Sequence, residues 1–241
     1  MSGEPGAERT RIKRFYERAA AEAADGAFQV TLDGKPVRTP AKAPLAVPSE
    51  KLAEAIAAEW QAQGEWLEPG TMPLTKLANV AIDHVEANRE AVIDDIVAHA
   101  GSDLICYLAA EPQELAMRQM AQWAPVIDWL TEGLDAPFEV ATGITHVTQP
   151  AQSLERVRRA IADYDAFSLA AIHAMTTLMG SALLTLAHVA GLFDLPTVWQ
   201  AAHLDEDWQM ARWGEEAEAK ARRERAWLEM QAADKLLNCV E

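Results

Sequence analysis

Two histidine–carboxylate pairs stand at spacings that one face of a helix could use: His203 with Glu206, three apart, and His99 with Asp103, four apart. Residues three or four apart on a helix are neighbours, so either pair could begin a divalent-cation site or pass a proton. Six histidines among 37 aspartates and glutamates make such spacings common by chance. Neither HExxH nor a paired ExxH set accompanies them, and those are the patterns with which helices complete metal sites. A metal-dependent hydrolase using His203, Glu206 and nearby acids is therefore the alternative reading, and the favoured expectation is no bound metal.

Carboxylates beside tryptophan form the second constellation. Asp205, Glu206 and Asp207 precede Trp208, and Glu215, Glu216 and Glu218 follow Trp213. A carboxyl buried against an indole can hold its proton and act as a general acid. Three acids in a row cannot all face one pocket, however, and Asp205 to Asp207 suit the start of a helix, where negative charge complements the dipole. Other chemistries lack their parts. No glycine-rich loop followed by Lys-Ser/Thr is present, no GxSxG elbow occurs, and Cys106 and Cys239 sit in no activating pattern. No catalytic residue and no cofactor is expected.

Charge narrows the partners. The formal net charge is -16, with residues 1–49 at +2, 50–135 at -12, 136–202 at -2 and 203–241 at -4. Such a surface repels phosphate backbones and anionic headgroups, which argues against nucleic acid and membrane surfaces and favours a protein partner. Two cysteines far apart make no disulfide framework, and MSGEPGAERTRIKRF lacks the apolar core of a secretory signal, so the cytoplasm is expected. Ala166 to Phe193 is long and apolar, but its Ser, Thr and His content reads as a buried core helix instead of a membrane span. His173 and His188 within it are expected to be hydrogen-bonded core residues.

The elements that position these groups fall into two kinds. Phe28 to Pro48 alternates around Asp33-Gly34, a strong hairpin signal, and prolines 36, 40, 44 and 48 confine its strands to short or edge positions. From Ser49, placed as a helix cap, Leu52, Ile56, Ala57 and Trp60 repeat at helical spacing. Two helices are expected across residues 77–109, and one over QELAMRQMAQWAPVIDWLTEGL, with Pro125 breaking or kinking it. PFEVATGITHVTQP alternates again, with Phe138, Val140, Ile144 and Val147 as inward candidates, and could add a strand near 137–147 to the N-terminal sheet. A long charged helix should run from about Asp205 to Leu237. The expected fold is α+β: a small β-rich domain over 1–65, then a larger all-helical domain over 66–241.

Eight tryptophans in 241 residues is high. Most should be core, but a few are expected at a partner surface, where the indole suits a half-wet contact.

Seven ordered blocks then carry a family resemblance: RFY at 14–16, LDGKPVRTP at 32–40, AAEWQAQ at 57–63, MPLTKLANVAID at 72–83, SDLICYLA at 102–109, QWAPVIDW at 122–129 and LDEDWQMARWGEEAEA at 204–219. The chain resembles the assembly chaperones of the F-type ATP synthase that act on its alpha subunit, a family of mitochondria and some bacteria. The resemblance implies binding without turnover: holding the unassembled alpha subunit by its nucleotide-binding domain until the beta subunit replaces the chaperone. A monomer is expected, and the resemblance implies the bacterial cytoplasm, with the mitochondrial matrix for eukaryotic relatives. It also points to the acidic C-terminal block, which here places partner contacts at Asp205, Trp208, Trp213, Glu215, Glu216 and Glu218. Two departures stand out: Leu108 where the family usually has Arg, and Glu216 where it often has Asp.

Overall fold

The computed structural model describes residues 12–214 and 216–240. The chain divides into two compact units, Met1–Asn79 and Val80–Glu241.

The first unit is a small antiparallel sheet covered by one helix. Strands β1 (Ala19–Ala24) and β2 (Ala27–Leu32) pair in register from Ala19 opposite Leu32 to Ala24 opposite Ala27. Strand β3 (Lys35–Pro36) joins β2 through Asp33-Gly34, both at positive φ, as a type I′ hairpin turn requires. Strand β4 (Ala46–Val47) pairs with the other end of β2. The strand β1 was not foreseen, because AAAEAA has strong helix propensity. Asp25-Gly26, again at positive φ, turns the chain back and the sheet overrides the propensity. Helix α1 (Glu50–Gln61) opens with the Ser49 hydroxyl accepting from the Leu52 N–H and packs on β1 and β2. Val30, Leu45, Leu52 and Ile56 fill the layer between them. Helix α2 (Pro73–Val80) follows, leading into a π turn at Ala81–Val85.

The second unit is helical: α3 (Arg89–Ala100), then strand β5 (Tyr107–Leu108), helix α4 (Gln113–Leu134), strand β6 (Ala141–Thr142) and helices α5 (Ala151–Ile161), α6 (Ala166–Met179), α7 (Ala182–Val189), α8 (Leu195–Ala202), α9 (Leu204–Trp213) and α10 (Ala217–Val240). Three expectations are corrected. The apolar stretch from Ala166 is two helices, not one: Gly180, at φ 66°, ends α6, and Ser181 caps α7 through the Leu184 N–H. No helix among the described residues is long and apolar enough to cross a membrane. The charged C-terminal segment is likewise broken, because Gly214 (φ 90°, ψ 164°) takes a conformation closed to other residues and ends α9. The α4 helix runs unbroken through Pro125. The strand near 137–147 pairs in parallel with β5 and not with the N-terminal sheet, and Ile144 points fully outward (103% exposed) while Phe138 is buried.

A buried carboxylate ties this unit together. Asp103 accepts from the Ile105 N–H at 3.2 Å, the Ser181 hydroxyl at 2.6 Å and the Leu183 N–H at 3.0 Å. One side chain thus caps the turn before β5 and the start of α7, eighty residues later.

Candidate functional site

The acidic segment of α9 is positioned by α4. The side-chain amide of Gln119 donates to Asp205 Oδ1 at 2.7 Å, and its carbonyl accepts the Ala109 N–H at 2.7 Å. Gln119 is buried, so this bridge fixes α9, α4 and the end of β5 as one body. Asp205 therefore faces a cleft of about 620 Å³, bordered also by Leu108, Glu111 and Ile144. The neighbouring acids go elsewhere: Glu206 is exposed, and Asp207 accepts from Arg223 of α10.

Trp208 sits between two guanidinium groups, Arg118 at 4.8 Å and Arg212 at 4.1 Å from its ring centre. Both arginines also meet Glu114, at 3.0 Å and 3.6 Å. Only 7% of Trp208 is accessible. Its role is to seat α9 on α4. Trp213, five residues on, is 77% exposed at the last turn of α9. Gly214 then turns the chain, and Glu216 and Glu218 stand exposed at the start of α10. Glu215 lies outside the described residues. The structure thus brings Asp205 and Trp208 together against α4 and presents Trp213, Glu216 and Glu218 on the stretch beyond.

The histidine pairs resolve into structural contacts. His203 Nδ1 lies 2.8 Å from the Trp199 carbonyl and its ring stacks on that indole at 3.9 Å. Burial holds its pKa below the ordinary histidine value, so it is neutral near pH 7. His99 lies against the Asp95 carbonyl of its own helix, whereas Asp103 is the buried cap described above. Among the described residues no group of three His, Cys, Asp or Glu side chains is placed to hold a metal ion. Within α6 and α7, His173 meets Asp95 at 2.7 Å and His188 meets Asp234 at 2.8 Å and the Phe193 carbonyl at 3.0 Å. Cys106 is buried, and burial together with Asp103 pushes its thiol up to about 12.

Sequence reasoning missed Gln119, Arg118 and Glu114, which decide where α9 sits. They are ordinary polar residues of an amphipathic helix, and nothing in their spacing singles them out.

The family model of the ATP12 chaperone protein matches residues 13–131. The crystal structure of Atp12 from Paracoccus denitrificans is 37% identical and has a TM-score of 0.89, the match covering 95% of this chain and 98% of that one. The chain belongs to the ATP12 chaperone family. A solved protein of Agrobacterium tumefaciens described as a chaperone candidate is 41% identical with a TM-score of 0.93, over 96% of this chain and 87% of the other. The mitochondrial protein atp12 of Schizosaccharomyces pombe is 23% identical over 216 residues, 84% of this chain and 74% of the relative. As an ATP12 family member the chain is a chaperone of ATP synthase assembly and not an enzyme, which removes the hydrolase alternative.

Proposed function

We propose that this ATP12 family chaperone holds the unassembled alpha subunit of the F-type ATP synthase through its nucleotide-binding domain, as a monomer in the cytoplasm, until the beta subunit takes its place. A subunit made for a large oligomeric interface exposes apolar surface before assembly and aggregates unless that surface is covered. The cover has to yield to the final partner, which calls for a modest and partly polar interface.

The observation that carries the site is Trp213. A large indole left 77% exposed costs solubility and suits a binding anchor. It stands beside the exposed carboxylates Glu216 and Glu218. We assign these three residues, with Glu215 and Asp205, as client contacts, and Trp208 as the side chain that seats α9 on α4. Two buried, free cysteines suit a reducing cytoplasm. The test is aggregation of the isolated alpha subunit followed by light scattering. Equimolar chaperone is expected to suppress it, and unchanged scattering together with no capture of the subunit at moderate salt refutes the proposal.

A further inference from the structure

A surface of the helical unit that reaches Asp205 but whose lining includes none of Trp213, Glu216 and Glu218 has the chemistry of a peptide groove. Helix α4 and the β5–β6 pair border an apolar depression of about 250 Å³, with Ile105 and Trp123 as its buried floor. Met120, 55% exposed, stands on one wall, and Leu108 and the 43% exposed Val140 on the other. Leu108 also lines the 620 Å³ cleft that Asp205 faces, so the two hollows adjoin, with the fully exposed Ile144 on the far side. Methionine and valine walls of this kind adapt to apolar side chains of varied shape.

The charges around the two hollows have one sign. Asp128 borders the first, Glu111 and Asp205 border the second, and among the described residues no Lys, Arg or His lines either. Among the described residues none of these three carboxylates is in an ion pair, whereas nearby Glu114 has two arginines. Gln119, which holds Asp205, and Asp128 are nine residues apart on α4, or roughly 14 Å at the helical rise. Negative charge thus stands at both ends of an apolar trough.

We infer that this trough binds an apolar polypeptide segment of the client flanked at both ends by lysine or arginine. The segment's apolar side chains enter between Met120 and Val140, and its cations meet Asp128 at one end and Asp205 with Glu111 at the other. Identifying the segment's owner as the client rests on the proposal above; the chemistry of the trough does not.

The test uses two fluorescently labelled ten-residue peptides with the same Leu/Ile centre, one flanked by lysines and one by glutamates, and anisotropy on the full chain. The lysine peptide is expected to bind wild type at least tenfold tighter than the glutamate peptide. Val140→Glu is the deciding variant: an added carboxylate would strengthen a merely electrostatic contact, but here it should weaken the lysine peptide about tenfold. Asp128→Lys should weaken the lysine peptide and improve the glutamate one, with both variants melting within about 2 °C of wild type. Equal binding of the two peptides, no binding of either, or a Val140→Glu protein that binds as well as wild type overturns the inference. Isolated alpha subunit is titrated in parallel. Uptake of the lysine peptide without uptake of alpha subunit contradicts the proposed client and leaves the trough standing; alpha subunit bound equally by wild type and Val140→Glu overturns the trough's assignment to that client.

Discussion

The guanidinium of Arg212 lies over the indole of Trp208, one helical turn before it, 4.1 Å from the ring centre. Trp213, the next residue after Arg212, has no such cover among the described residues and is 77% exposed. Two tryptophans in one short helix thus do different work. Trp208→Ala removes a buried side chain and two cation–π contacts and should cost about 3–5 kcal/mol, read as a lower urea midpoint. Trp213→Ala should change stability by less than about 0.5 kcal/mol while weakening client capture at least fivefold.

Asp103 makes stability depend on pH in an unusual direction. Burial pushes its carboxyl up to about 6 even though Ser181, Leu183 and Ile105 all donate to it. Its folded value lies above the ordinary aspartate value, so its contribution is full below about pH 4 and is lost as pH rises through about 6. Asp103→Asn has no proton to exchange. The stability advantage of wild type over Asp103→Asn should therefore be larger at pH 4 than at pH 7.5, measured as the difference in urea midpoints; titration of the other carboxylates is common to both proteins and cancels.

Cys106 should be inert. With its thiol pushed up to about 12 and its side chain buried, the thiolate is scarce at pH 8. Iodoacetamide at that pH should leave Cys106 unmodified in the native protein for a time that labels it completely in 8 M urea (roughly a hundredfold difference in rate), as peptide mass spectrometry can follow.

Gly180 ends α6 in the left-handed region, with φ at 66°. No atom stands near its missing Cβ, so a side chain there would meet backbone strain alone. Gly180→Ala should lower stability by about 1–2 kcal/mol without touching client affinity.

How much of this was legible beforehand depends on whether a feature is local. Asp33-Gly34 and Ser49 announce their turn and cap because the requirement lies in the residues themselves: a positive φ, a hydroxyl within reach of an N–H. The AAAEAA strand was opaque, since its identity comes from pairing with β2 and its own propensity points the other way. Gly180 and Gly214 were visible as glycines, but whether a glycine ends a helix or is absorbed by it is decided by the packing around it. For the site, the acidic and aromatic block was readable as composition, while the division of labour between Trp208 and Trp213 was not. That division is made by Arg118, Gln119 and Glu114, some ninety residues away, and partners so distant leave no pattern along the chain.

The central claim is that the chain holds the alpha subunit through the surface around Trp213, Glu216 and Glu218. It is tested most directly by titrating isolated alpha subunit into the chaperone by calorimetry, with wild type and Glu218→Lys side by side, and then adding beta subunit. A one-to-one complex is predicted, weakened about tenfold or more by Glu218→Lys at unchanged melting temperature (about 1.4 kcal/mol), and dissolved by beta subunit. Absence of heat and of complex with wild-type chaperone, or an alpha subunit that stays bound after beta subunit is added, would contradict it.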